Sequence, residues 1–345
     1  MKQIGAKKIL LMICVIILIA LVYIVITSFV LSANLGYLVG DVFSAVSVPD
    51  DETYIKAFAK AQINWEIAYW SAMISEFTYR KEGYPYNNLA LSTLGFTTAR
   101  FYSFFEFEGG LKDDLMVDAG VKEIFAADGS GYTLVAIAFR GSVPLALNSP
   151  TTAENMRRNM DFSSQQWRDS QATVHRGFYA QYTDFKTAIL PKINEVFGLN
   201  ILQNSGQLDK NLKFWITGHS MGGALAQLLT LDLVESGVEA ESVLTYGFAT
   251  PLVGSGRLQE YAQSIGASDR MFNIVHRQDM VGYIGYGLLW GRSIAAEHNI
   301  IEFGSRGIFD RSHHSLPRIY LPFIVLQSDY PQRTQFEKSL IVEDM

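Results

Sequence analysis

Five residues, GHSMG at 218–222, stand between two apolar segments of different kinds. The segment before them, KFWIT at 213–217, is short and aromatic, and it predicts a strand. The segment after them, GGALAQLLTLDLV at 222–234, is long, rich in good helix formers and stopped by Gly237. A strand that enters G-x-S-x-G and a helix that leaves it make a sharp turn. The serine hydroxyl then sits at the tip, where the strand ends and the helix begins. Small residues on either side permit strained backbone and close strand–helix approach. A bare G-x-S-x-G is also an ordinary glycine-rich turn; its place between strand and helix gives it chemical weight.

The rest of the chain fits the same architecture. TLVAIAF at 133–139 is a continuous apolar run, the mark of a strand buried on both faces. Residues 243–248 and 271–275 predict further strands, and 299–303 is a weaker candidate. Residues 52–80 and 178–197 carry apolar and aromatic side chains at helical spacing. Strands alternating with helices predict an α/β fold with a mostly parallel central sheet and helices on both faces. Residues 41–345 contain no repeat and, after residue 50, no Pro/Gly/Ser-rich linker, so they read as one domain.

The N-terminus is different. Residues 9–40 carry no charge, and 9–31 is almost wholly apolar. As a helix, 9–31 would be about 35 Å long, against a hydrocarbon core of ~30 Å. Lys2, Lys7 and Lys8 precede it; Asp41, Asp50, Asp51 and Glu52 follow it. Residues 1–40 therefore read as a cytoplasmic stub and one transmembrane signal-anchor helix, with the domain on the non-cytoplasmic side. A cleaved signal peptide, which would leave the domain secreted, is the competing reading, although its apolar region is usually shorter. The only cysteine, Cys14, falls in this segment, which excludes an internal disulfide and any Cys-rich metal site. The net charge of −6 disfavours a nucleic-acid surface. No H-E-x-x-H or comparable cluster points to a metal, and no cofactor motif is present.

A serine hydroxyl needs a base, and the base needs an acid to orient it. In α/β-hydrolases the order along the chain is Ser, acid, His. Asp279 follows the 271–275 run in a turn-like HRQD and is the preferred acid; Asp310 is the runner-up, and Asp269 lies at the wrong strand end. The histidines after Ser220 are His276, His298, His313 and His314. His276 adjoins the acid too closely and His298 borders a strand. His313 and His314 remain, His314 preferred. The oxyanion needs backbone amides: Met221, after the nucleophile, and Ser142, after the strand at 133–139.

Taken together, these segments resemble the class 3 lipase family of fungal-lipase-like α/β-hydrolases. The matches are AFRGS at 138–142, Asn155 with Asn159 and Phe162, VHRGF at 174–178, TGHSMGGALA at 217–226, TYGFATP at 245–251, NIVHRQD at 273–279, and His314 ahead of Tyr320 and Leu321. They occur in the family's order over about 133–321. The resemblance implies an α/β-hydrolase fold and cleavage of lipid carboxylic esters without metal or cofactor. It also implies Ser220 as nucleophile, Asp279 as acid, His314 as base, and Ser142 with Met221 as oxyanion hole. His175 matches a structural position. Departures are Met156 where Trp is common, Ala249 for a frequent Gly, Gly282 for a usual Pro, and a longer spacing from His313 or His314 to Tyr320.

Two apolar insertions, 143–150 and 283–290, flank the expected site and read as a flap shielding it from water. The expected activity is hydrolysis of acylglycerols or phospholipids. An esterase for non-lipid esters, such as feruloylated polysaccharide, and an inactive membrane-tethered binding module are the alternatives.

Overall fold

The structure, a computed structural model, describes residues 47–79, 89–107, 110–142, 154, 157–168, 170–202, 211–287, 291–305 and 313–328. The apolar segment 9–31, residues 143–150 and 288–290, Asn155, Met156 and Asp310 lie outside them. Among the described residues no helix is long and apolar enough to cross a membrane.

Seven strands form the central sheet in the order β1-β2-β3-β6-β7-β8-β9. They are β1 (Thr97–Phe107), β2 (Gly110–Phe125), β3 (Gly131–Phe139), β6 (Leu212–His219), β7 (Val243–Phe248), β8 (Met271–His276) and β9 (Ile300–Phe303). From β3 to β9 every pairing is parallel; β1, β2 and β3 are antiparallel. A small antiparallel pair, β4 (Ser164–Gln166) and β5 (Thr173–His175), stands apart.

Helices cover both faces, and β3 shows why its sequence is apolar throughout. Val135, Ile137 and Phe139 join the core under α3 (Arg176–Asp184), α4 (Leu190–Phe197) and α5 (Met221–Glu235). Leu134, Ala136 and Ala138 join the opposite core under α1 (Asp51–Ala59), α2 (Trp65–Phe77) and α6 (Leu321–Gln327). A strand buried on both sides has no polar alternation to show. Helix α5 is buried from Met221 to Leu233, which explains its unbroken apolar sequence.

Two helical expectations change in detail. The segment 52–80 is split: Asn64 is extended and its side chain accepts from the Glu66 and Ile67 amides at 3.0 and 3.1 Å, starting α2 afresh. The segment 178–197 carries a π-turn, Phe185–Ile189, just before Pro191. Proline supplies no amide and its ring clashes with the preceding turn, so the helix widens there.

Candidate active site

The C-terminal ends of the parallel strands hold every predicted site residue that is described. β6 delivers Ser220 with φ 58° and ψ −130°, outside the ordinary regions for an L-residue. Such backbone costs of order 1–3 kcal/mol and persists only when its surroundings enforce it. Here the enforcement is close packing. A Cβ on Gly218 would collide with the Gly222 backbone, and one on Gly222 would collide with the Phe139 carbonyl. The Ser220 amide is tied to the Phe248 carbonyl at 2.8 Å. Ser220 caps the N-terminus of α5, whose dipole favours negative charge at that point.

β3 delivers Arg140, Gly141 and Ser142. Ser142 is buried, its hydroxyl donates to Met221 Sδ at 3.6 Å, and it accepts from Asn159 Nδ2. The two predicted oxyanion residues are thus neighbours. Ala249, after β7, has φ 49°, a conformation suited to the glycine frequent at this position in the resembled family.

β8 delivers Asp279, which is 1% exposed and fully engaged. Its Oδ1 accepts the Val281 amide at 3.0 Å. Its Oδ2 meets His314 Nδ1 at 2.8 Å and accepts the Tyr320 hydroxyl proton at 2.6 Å. Burial, then the Asp279 charge, push the Tyr320 hydroxyl well above its usual range, so it is a neutral donor. Tyr320 also accepts the His276 amide at 3.2 Å.

The two adjacent imidazoles part company. His314 lies on Asp279 and packs on His219 at 4.5 Å between ring centroids. His313 stacks on His276 at 4.2 Å. His298 is exposed beside Asp269, 3.9 Å away, at the opposite strand end.

An apolar cavity of about 40 Å³ opens on Ser220 and Met221, walled by Met160, Phe162, Phe178, Pro251, Val281 and Ile284, with Asn159 among its lining residues. No group of residues able to hold a metal occurs among the described residues.

Three contributors escaped sequence reasoning in these roles. Tyr320 stood only as a landmark, yet a tyrosine inside an apolar helix needs a polar partner. Asn159 was only a motif residue. Tyr79, whose hydroxyl meets His219 Nδ1 at 2.8 Å, belongs to no motif.

His175 caps α3, with Nδ1 accepting the Phe178 amide at 3.2 Å. Burial pulls it down to about 4. Burial also lowers His276, with His313 adding to the effect, and it lowers His219, with His314 adding. An unfolded histidine titrates near 6.5. Between pH ~6.5 and ~4 the unfolded chain therefore binds protons that the folded chain refuses, and stability falls with falling pH. For His175 the loss approaches about 3 kcal/mol by pH 4. Urea unfolding at pH 7 and pH 5 should show this decline, flattened by His175→Gln; an equal slope in both proteins would remove His175 from the account.

Residues 136–286 match the family model for lipase (class 3). That span contains Ser142, Ser220, Met221 and Asp279; His314 lies beyond it. The chain is 26% identical over 161 residues to a lipase of Rhizomucor miehei, covering 46% of this chain and 39% of that protein. It is 32% identical over 104 residues to chloroplastic phospholipase A1 PLIP1 of Arabidopsis thaliana, covering 29% of this chain and 14% of that protein. The chain thus spans well under half the length of these relatives. Among solved structures, a fungal lipase–inhibitor complex aligns at 20% identity and TM-score 0.45, over 64% of this chain and 76% of that one. Lipase II of Rhizopus niveus aligns at 19% identity and TM-score 0.43, over 64% and 73%. Over residues 136–286 the chain is thus similar to the class 3 lipases.

Proposed function

We propose that this protein is a membrane-anchored serine ester hydrolase that cleaves acylglycerols or phospholipids through an acyl-enzyme. The observation that carries the reading is the pairing of buried Asp279 with His314 at 2.8 Å, on the strand edge where Ser220 is held in strained backbone. In this reading Asp279 fixes the His314 tautomer by accepting a hydrogen bond from Nδ1–H. The other ring nitrogen, Nε2, accepts the Ser220 proton as Oγ attacks the acyl carbon. The Ser142 and Met221 amides, with the α5 N-terminus behind them, receive the oxyanion. His314 returns the proton to the departing alcohol, then activates the water that releases the acid. No metal or cofactor enters this scheme.

The apolar segment 9–31 with Lys2, Lys7 and Lys8 ahead of it supports an anchor whose N-terminus is cytoplasmic and whose domain faces away from the cytoplasm. The apolar wall around Ser220 supports an acyl substrate, since each buried methylene contributes ~0.8 kcal/mol. A chain-length series of nitrophenyl esters tests this. kcat/KM should rise severalfold from acetyl to octanoyl esters, and emulsified lipid should be cleaved. A flat or falling series without lipid cleavage would overturn the lipid assignment in favour of a non-lipid esterase.

A further inference from the structure

Helix α2 lies along β6 with matched spacing. Ser71 and Ser75 on the helix, and Tyr79 two residues past its end, recur every fourth residue, a spacing of about 6 Å along a helix. Trp215, Thr217 and His219 recur every second residue, a strand step of about 6.6 Å. The two series pair one to one. Trp215 Nε1 donates to Ser71 Oγ at 2.8 Å, the Ser75 and Thr217 hydroxyls meet at 2.9 Å, and the Tyr79 hydroxyl meets His219 Nδ1 at 2.8 Å. The first two rungs pin the helix to the sheet. The third ends beside Ser220.

That third rung touches more than its partner. A Cβ on Gly141 would collide with the Tyr79 hydroxyl and lie 3.2 Å from Ser220 Cβ. The same tyrosine oxygen thus lies against the Gly141 backbone. Where the Tyr79 hydroxyl donates its proton to His219 Nδ1, the His219 proton sits on Nε2. The His219 ring, 6% exposed, then lies flat enough against His314 to wall it, at 4.5 Å and 35°. The Phe77 carbonyl, two residues before Tyr79, is held in turn by Arg100 at 3.1 Å.

We propose that Tyr79 is a positioning residue: one hydroxyl fixes the Gly141-Ser142 segment against the serine turn and holds His219 in a single neutral tautomer as the wall behind His314. The role in catalysis rests on the ester-hydrolase reading above. It adds to that reading a link from Tyr79, just past the end of α2, to His219, 140 residues away.

The test uses the full-length chain and a soluble short-chain nitrophenyl ester. Tyr79→Phe removes only the hydroxyl, and it should lower kcat about 10- to 100-fold with KM within about twofold of wild type, as for a displaced reacting group. Ser75→Ala, one rung back, should lower thermal stability and leave kcat within about twofold, the signature of a purely structural rung. Imidazole nitrogen NMR should show His219 as the Nε2–H tautomer in wild type and a mixture in Tyr79→Phe. Unchanged kcat in Tyr79→Phe beside an active wild type overturns the clasp alone, as does an unchanged tautomer. Equal kcat losses in Tyr79→Phe and Ser75→Ala reduce Tyr79 to a structural rung. A wild type that cleaves no ester, with the tautomer still set by Tyr79, defeats the hydrolase reading and its catalytic consequence but leaves the tautomer lock in place.

Discussion

Ser220→Ala is expected to lower kcat for ester cleavage on the order of 10⁶-fold while the protein stays folded, as loss of a serine nucleophile does in other hydrolases. The hydroxyl is the only group that Ser220 contributes to the chemistry. Its backbone is held by the Phe248 carbonyl and by the packing at Gly218 and Gly222, none of which the substitution touches. Labelling by a fluorophosphonate should vanish with the activity. A companion variant separates chemistry from strain. Ser220→Gly removes the hydroxyl and relaxes a φ of 58°, so it should abolish activity and raise stability by about 1 kcal/mol. Initial rates and urea midpoints on the same preparations check both. Retention of more than a hundredth of wild-type kcat in Ser220→Ala would end the serine mechanism.

What was legible in the sequence is what burial imposes on a continuous stretch. β3, β6 and β7 are buried on both faces, so they are readable as apolar runs close to their observed limits. The serine turn was readable because strand, small residues and helix follow one another directly. The hairpin β1–β2 was not. Its strands carry charges, and two of them, Arg100 and Asp118, neutralise each other across the register with bonds of 2.6 and 2.7 Å. A buried cross-strand ion pair looks like two surface residues until the partner is known. The same limit applies at the site. Nothing local distinguishes His313 from His314; the distinction lies in Asp279 and His276, 34 or more residues away. Tyr320 and Tyr79 act through hydrogen bonds to residues 41 and 140 positions distant. Spacing along a chain carries no record of such pairings.

Asp279→Asn should cost about 10⁴-fold in kcat near neutral pH, with KM little changed, because the carboxylate's two oxygens are committed to three donors. His314 Nδ1 and the Tyr320 hydroxyl converge on Oδ2, and the Val281 amide on Oδ1. Only an acceptor at both positions suits that set. If asparagine turns its NH₂ toward His314, the imidazole must take its other tautomer and Tyr320 loses its acceptor. If it turns the NH₂ toward Val281, two donors face each other in a buried site, at about 1–3 kcal/mol. Either way the base is mispositioned or the fold is weakened. Tyr320→Phe draws the contrast. It leaves the aspartate–histidine pair but strips the His276 amide of its acceptor, so it should weaken the fold more than the reaction. Rates and unfolding midpoints for the two variants should therefore rank in opposite order. Should Asp279→Asn keep a tenth of wild-type kcat, the orienting acid lies elsewhere, and Asp310 becomes the residue to replace next.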